Sequence, residues 1–520
     1  LDCMKSKLET ILIVDYGSQY TQLIARRIRE LEVFCLVYPF NKITKKILNE
    51  IKPSAFILSG GPRSVLDKNA PKLNQEILKM KKPVLAICYG MQLVTKNLKG
   101  VVKRSTHREY GHTIINIKKK SLLFKGINKL KFKVWMSHGD NINKIPKLFS
   151  ITSLSNNKII SSIENIQNKI YCLQFHPEVY HTDFGSKIIH NFVFNIVNIK
   201  NKFKIQKFIE NKVSELKNEI KNKKIICGLS GGVDSTVTAY LLSKAVNKNL
   251  YCIFVDHGLL RKNEANEVSK IFSKKFGKNF TKINAANIFL KNLKNVSDPE
   301  KKRKIIGKTF IEVFDKAAKK ISNVDYLGQG TLYPDIIESI PFFGGPTAKI
   351  KSHHNVGGLP KKMKLKIVEP LRELFKDEVR NVGKQLKIDK HLLLRHPFPG
   401  PGLAIRIPGV IDKKKILILQ EADHIFIEYL KEKNLYNKIW QAFVVLLPVK
   451  SVGVMGDERT YNYSVSLRAI TSVDGMTADF YMFSNNQLKE ISSRIINNVK
   501  GINRVLYDFT SKPPGTIGGE

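Results

Sequence analysis

The chain of 520 residues is short of the residues that make covalent or metal scaffolds. It has six cysteines (Cys3, Cys35, Cys88, Cys172, Cys227, Cys252) with no C-x-x-C pair and no regular spacing. That argues against a disulfide framework and a structural zinc site, and it fits a reducing compartment. No apolar run approaches the ~20 residues that span a bilayer, and no signal-like order of charged, apolar and small residues opens the chain. The expectation is a soluble, cytoplasmic protein without a membrane partner. Acidic residues are also scarce, 44 against 88 Lys and Arg, for a formal charge of +44. Such a charge suggests nucleic acid. The lysines, however, are scattered along the chain beside abundant Ile and Asn, and no RNA-reading motif with interleaved aromatics occurs. The reading is compositional drift without a dedicated nucleic-acid surface, in a field that still favours small anions.

What is present is ordinary globular material, 42% hydrophobic with 32 Gly and 20 Pro. At about 150 residues per domain the length predicts three or four domains. Short apolar runs that end in glycine-rich turns and lead into helical patterns recur through the first two-thirds: Ile11–Asp15, Ala55–Leu58, Pro83–Ile87 and Ile225–Leu229. Alternation of this kind predicts α/β domains built on parallel sheets, with sites at the carboxyl ends of strands. A Lys- and Asn-rich helical stretch from Val197 to Lys224 is the linker candidate. The run Arg395–Arg406, RHPFPGPGLAIR, is too dense in Pro and Gly for a helix or a central strand. After it, helical patterns at Lys413–Lys433 and Gln487–Val499 surround strand-like runs at Ala442–Leu447 and Tyr461–Ala469, which predicts a smaller α+β domain.

Two motifs carry chemistry. Cys88 follows an apolar strand and opens a helix, an elbow that exposes its side chain and favours a thiolate. His176 and Glu178, in Phe175-His176-Pro177-Glu178, supply a base and an acceptor that fixes its tautomer, the arrangement that acyl transfer needs. Gly60 and Gly61 let main-chain N–H groups approach a developing oxyanion. His138 competes with His176 as the base. Farther on, Ser230-Gly231-Gly232-Val233-Asp234-Ser235 between a strand and a helix makes an anion nest but lacks the lysine of the usual phosphate loop. The pair His353-His354 points to opposite faces of a strand and makes a poor metal site.

The Cys88, His176 and Gly60-Gly61 motifs resemble the class I glutamine amidotransferase domain from about residue 8 to 196. The resemblance implies that Cys88 attacks the glutamine amide, that His176 is its base and that Glu178 orients it. Trp135–Asp140 is similar to the family's glutamine-cradling loop, so Tyr89, Gln92, Ser137, His138, Gly139 and Asp140 join Gly60 and Gly61 as glutamine or oxyanion residues. Ala86 and Cys172 stand where relatives often have Gly, and Cys172 is expected to be a packed apolar residue. The SGGVDS string resembles the loop of ATP pyrophosphatases. Together with Arg395–Arg406 and the tail Lys512–Ile517, it makes the whole chain resemble the glutamine-hydrolysing GMP synthetase family.

That resemblance implies an amidotransferase domain over 8–200, an adenylating domain over 201–395, and a dimerisation and XMP-binding domain over 396–520. It implies glutamine, ATP and XMP as substrates, Mg²⁺ with the nucleotide, no prosthetic group, and a homodimer. It assigns Ser230, Gly231, Gly232, Val233, Asp234, Ser235 and Val255 to ATP, with Asp234 a candidate for Mg²⁺. Arg303, Pro399, Gly400, Lys512, Thr516 and Ile517 are assigned to XMP. The tail then reads Gly518-Gly519-Glu520, whereas the family usually ends acidic-aromatic-acidic, so closure over XMP is expected to be looser. Other ammonia-using ATP pyrophosphatases, an NAD synthetase or a tRNA-modifying adenylase, are the rivals.

Overall fold

The computed structural model describes residues 9–338, 365–455, 458–472, 478–512 and 514–518. His353-His354, the Asn355–Pro360 run, Gly456-Asp457, Pro513 and Gly519-Glu520 lie outside the described residues. The chain divides into two compact units, Leu1–Asn211 with Tyr333–Lys351 and Lys212–Leu332 with Ser352–Glu520.

In the first unit the apolar runs become β1 (Thr10–Asp15), β2 (Phe34–Pro39), β3 (Ala55–Leu58) and β4 (Val84–Ile87). Longer strands follow: β5 (Val101–Ile117), β6 (Lys131–Lys144), β7 (Ser150–Ser155), β8 (Ile160–Asn165) and β9 (Ile170–Leu173). They form one sheet in the order β2-β1-β3-β4-β9-β8-β7-β5-β6. From β2 to β9 the pairs are parallel, and from β9 outward they are antiparallel. The parallel strands β1, β3 and β4 are buried at every residue, as strands covered on both faces must be. The antiparallel half goes beyond the parallel sheet the sequence suggested. Between β5 and β9 no long crossover helix intervenes, only turns and one short 3₁₀ turn, and such connections suit antiparallel neighbours. Helix α1 (Tyr89–Asn97) leaves the end of β4.

The division between units falls inside α2 (Ile205–Ile220), within the stretch read as a linker. In the second unit β10 (Lys224–Leu229), β11 (Leu250–Asp256), β12 (Phe280–Asn284), β13 (Val324–Gly328) and β14 (Lys366–Val368) are all parallel, in the order β12-β11-β10-β13-β14. Their helices include α3 (Val233–Val246), α4 (Glu264–Phe276) and α5 (Pro299–Ala318). Helix α5 starts where it does because Asp298 accepts the Lys301 N–H at 2.7 Å and Pro299 sits at the first turn, where a missing N–H costs nothing.

The remaining residues form α6 (Lys413–Glu432), β15 (Gln441–Met455), β16 (Glu458–Thr471), β17 (Asp479–Phe480), α7 (Asn485–Asn498) and β18 (Ile502–Tyr507). β16 is the centre of this sheet, antiparallel to β15 and β17 and parallel to β18. Ser484 and Gln487 cap α7 reciprocally. One apolar cluster runs from Ile226 and Val255 through Leu403 and Leu419 to Val465 and Ile502, so the second unit's two sheets share a core.

Candidate active site

The Cys88 turn and the Ser230–Ser235 loop each stand at the carboxyl end of a parallel strand. In the first unit the chain turns from β4 into α1 at Cys88, which adopts φ +50° and ψ −106°. A side chain with a Cβ reaches such a conformation only when its surroundings impose it. Here the Cys88 N–H donates to the Leu173 carbonyl at 2.7 Å and the thiol donates to the Ser137 carbonyl at 3.5 Å. Beneath this turn, Ala86 pairs in register with Cys172. These two small residues are therefore cross-strand neighbours, and Cys172 is fully buried with its thiol pushed up by burial.

His176 is held from both sides. Its main-chain N–H donates to the Trp135 carbonyl at 3.0 Å, and Thr182 Oγ1 donates to its carbonyl at 2.6 Å. Its Nδ1 lies 2.7 Å from Glu178 Oε1, with both side chains buried. Burial pushes the His176 imidazole down, but the charges of Glu178 and of the Cys88 thiolate, with hydrogen bonds to both, outweigh it and hold the group well above the usual range. A Cβ on Gly60 would stand 3.0 Å from His176 Cε1 and 3.7 Å from Cys88 Cβ. Gly60 thus lines the space between thiol and imidazole. Two residues that the sequence did not single out complete this wall: Ser59, whose hydroxyl donates to the Gly60 carbonyl at 2.8 Å, and Tyr20, whose ring meets His176 edge-on at 5.0 Å.

The other glutamine candidates divide differently. Trp135–Asp140 is not a loop: it lies within β6, with Ser137 opposite Tyr110 and His138 opposite Glu109 on β5. The long β5–β6 ladder absorbs it, and Gly139 is a strand residue there. His138 turns to Glu109, with Nε2 3.2 Å from Glu109 Oε2 and Nδ1 3.1 Å from the Asp140 carbonyl. Both ring nitrogens are engaged, which removes it from competition with His176. Glu109, unnoticed in the sequence, also accepts from Ser155 at 2.8 Å and Asn157 at 2.9 Å. Burial pushes Glu109 up, but those hydrogen bonds, with His138's the largest, leave it below its usual value. Gln92 is buried and donates to the Asp140 carbonyl at 3.0 Å, and the Asp140 carboxylate accepts from Ser64. Tyr89 is buried with its hydroxyl 2.7 Å from the Pro71 carbonyl, and Gly61 packs on its ring. These side chains brace one another and nearby main-chain carbonyls.

In the second unit β10 ends at Leu229 and α3 begins at Val233. Between them Gly231 has φ +77° and the Gly232 N–H donates to Ser230 Oγ at 3.2 Å. Ser230 Oγ lies 3.0 Å from Ser235 Oγ, and Ser235 donates to the Gly232 carbonyl at 3.2 Å. Asp234 occupies the first turn of α3 against the Gly330 backbone. Val255 is a core residue paired with Ile283, so Asp256 and Gly258 are the open positions at that strand end. The Gly402–Ile407 segment docks there: the Leu403 N–H donates to the Leu259 carbonyl at 2.8 Å, just beyond Pro399 and Gly400. Lys302 of α5 clamps the same segment through the Ala404 carbonyl at 3.1 Å and the Ile407 carbonyl at 2.6 Å. Its neighbour Arg303 faces Glu300 at 3.7 Å.

Lys512 forms an antiparallel bridge with Ala478, and Thr516 donates to the Gly518 carbonyl, with Ile517 half-buried between them. Arg468, which sequence reading missed, clips this tail: its guanidinium donates to the carbonyls of Thr510 at 2.6 Å and Thr516 at 3.1 Å. Nothing local marks Arg468, because its partners lie 40 or more residues away along the chain.

Among the described residues no group of three or more His, Cys, Asp or Glu side chains could hold a metal ion. One carboxylate beside two hydroxyls at the Ser230–Ser235 loop suits Mg²⁺ that is held largely by phosphates. No helix of the described residues is long and apolar enough to cross a membrane.

Comparisons with known proteins agree along the chain. Residues 12–196 match the class-I glutamine amidotransferase family model, residues 202–308 the NAD synthase model and residues 428–518 the GMP synthase C terminal domain model. The glutamine-hydrolyzing GMP synthase of Bradyrhizobium diazoefficiens is 52% identical over 98% of this chain and 93% of its own. That of Bartonella henselae is 50% identical over 99% of both chains, and that of Brachyspira hyodysenteriae is 50% identical over 99% of this chain and all of its own. With half of all positions identical from end to end, the chain belongs to the glutamine-hydrolysing GMP synthase family.

Proposed function

We propose that Cys88, His176 and Glu178 carry out the glutamine hydrolysis of this family member and that the Ser230–Ser235 loop holds the pyrophosphate of ATP. The enzyme is a carbon–nitrogen ligase of purine nucleotide biosynthesis. The Cys88 thiolate attacks the side-chain carbonyl of glutamine, His176 gives its proton to the leaving ammonia, and water then releases glutamate from the thioester. Glu178 keeps the imidazole oriented, and main-chain N–H groups near Gly60 and Gly61 meet the oxyanion.

In the second half-reaction the O2 of XMP attacks the α-phosphate of ATP, and pyrophosphate leaves into the Ser230–Ser235 turn, where Gly231, Gly232 and Val233 contribute main-chain donors. Ammonia then displaces AMP to give GMP. Asp234 would hold Mg²⁺ together with the phosphates, and the ion would neutralise their charge. Arg303, Pro399, Gly400, Lys512, Thr516 and Ile517 meet XMP, with Val255 at the adenine side. Modules over 8–200, 201–395 and 396–520 divide this work.

The protein is read as a cytoplasmic homodimer joined through its C-terminal module. There Val452, Val454 and Tyr461 on β15 and β16 are 46%, 75% and 65% exposed. An apolar strip of that kind on a sheet face suits a second copy.

The observation that carries the glutaminase reading is the thiol at a positive-φ elbow beside an imidazole 2.7 Å from a buried carboxylate. Cys88→Ala tests it. Glutamine-dependent GMP formation should vanish while the reaction with added ammonium continues and yields AMP and pyrophosphate. Equal loss of both in a folded variant contradicts the division of labour, and ADP with orthophosphate as products contradicts the loop.

A further inference from the structure

We infer that Arg395, braced by Glu264, is a positioning residue that sets the shape of the Ser230–Ser235 loop. The inference rests on the reading of that loop as the pyrophosphate cradle. Arg395 begins the Pro- and Gly-rich segment, 164 residues away along the chain from the turn it touches. Its Nη1 donates to the Gly231 carbonyl at 3.1 Å and its Nη2 lies 2.6 Å from Glu264 Oε1. Glu264, in the first turn of α4, uses its other oxygen to accept the Arg261 N–H at 3.0 Å. Both side chains are largely buried, 17% and 7% exposed, so this chain of contacts is not a solvated surface pair.

The geometry explains what it achieves. A peptide unit is planar, with C=O and N–H on opposite sides. Fixing the Gly231 carbonyl therefore fixes the Gly232 N–H, which holds Ser230 Oγ at 3.2 Å, which in turn lies 3.0 Å from Ser235 Oγ. Arg395 thereby reaches both serine hydroxyls without touching them. The Glu264 carboxylate cancels the charge, so the contribution is orientation and not attraction of an anion. A guanidinium fork donates to a carbonyl and a carboxylate from two nitrogens held in one plane, whereas an ammonium on a flexible stem must serve both from a single nitrogen without that fixed geometry. The space beside Gly231 is filled, since a Cβ there would meet Val268 at 3.1 Å and Arg395 Nη1 at 3.4 Å.

The test uses the full chain with Arg395→Ala, Arg395→Lys, Glu264→Gln and, as the loop control, Ser235→Ala. Glutamine hydrolysis reports folding of the first unit, and circular dichroism with thermal unfolding reports the second. Ammonia-dependent turnover gives kcat and the KM for ATP, and inhibition by magnesium pyrophosphate reads the loop directly. Arg395→Ala and Arg395→Lys should both raise the KM for ATP and the pyrophosphate inhibition constant roughly tenfold, with the KM for XMP within about twofold of the parent. Glu264→Gln should move both in the same direction by less. Unchanged ATP and pyrophosphate constants in Arg395→Ala, with Ser235→Ala impaired, overturn the positioning role alone. Full recovery in Arg395→Lys also overturns it, because charge without a fork would then suffice. If Ser235→Ala leaves pyrophosphate inhibition intact, the loop reading fails and this inference fails with it. Should Arg395→Ala not fold, Glu264→Gln decides, and unaltered constants there overturn the role.

Discussion

His176 depends on two neighbours of opposite chemical purpose. Glu178 Oε1 lies 2.7 Å from its Nδ1, and in the proposed mechanism Cys88 is the group whose proton it takes. Burial alone would lower the imidazole's pKa, and the two negative partners outweigh that, so the folded value lies well above 6.5. A raised folded pKa means that this interaction stabilises the protein fully below the unfolded imidazole value and is lost as pH rises through the folded one. Glu178→Gln keeps an oxygen near Nδ1 and removes the charge. The His176 titration, followed by the ring resonances in NMR, should move down toward the usual range, and glutamine hydrolysis should fall about a hundredfold or more. A titration that does not move would mean Glu178 contributes packing only.

At the scale of elements, the segment Pro397–Ile407, read from its Pro and Gly content as unfit for a helix, closes in a short 3₁₀ helix over Gly402–Arg406 and is held at many points. Gln441 donates to the Pro397 carbonyl at 2.6 Å, Lys302 grips two carbonyls, and His396 stacks on Tyr436 with ring centroids 3.8 Å apart. At its centre Gly402 has φ +62°, and a Cβ there would come within 2.2 Å of the Leu259 carbonyl. Both conformation and space exclude a side chain. Gly402→Ala should cost about 2–4 kcal/mol in the second unit and lift the segment from the end of β11. The expected result is a lower unfolding temperature for that unit and weakened ammonia-dependent synthesis, with glutamine hydrolysis preserved. Unimpaired synthesis would show that the segment's seat on Leu259 does not matter to the adenylating site.

For the molecule as a whole, two buried histidines tie stability to pH. Burial is the main cause that pushes His257 and His396 down to about 4. Each also accepts a main-chain N–H through Nδ1, from Leu259 and from Ala442, at 3.1 Å, which only the unprotonated nitrogen can do. With folded values depressed below 6.5, the stability they contribute is present above about pH 6.5 and is lost as pH falls toward 4. The loss is of order 3 kcal/mol for each group. Urea unfolding of the second unit from pH 7 to 4.5 should show this slope, and His257→Gln should flatten part of it. An unchanged slope in that variant would assign the acid sensitivity to carboxylates.

Local sequence by itself determined the strand-turn-helix elbow at Cys88, the His176–Glu178 pairing and the Ser230–Ser235 turn, because each is a continuous string whose spacing carries its own geometry. It also determined the parallel strands, whose unbroken apolar runs reflect burial on both faces. What only the tertiary structure decided are the contacts that span long loops. Trp135–Asp140 reads as a loop until β5 pairs with it, and His138 equals His176 as a base until Glu109 engages both its strand and its ring. Arg468 and Arg395 are ordinary cations in a chain with 88 of them, and their roles come from carbonyls 40 to 164 residues distant. Periodicity and motif spacing report on neighbours in sequence, whereas a buried guanidinium is placed by the closure of a fold, and that closure leaves no local pattern to read.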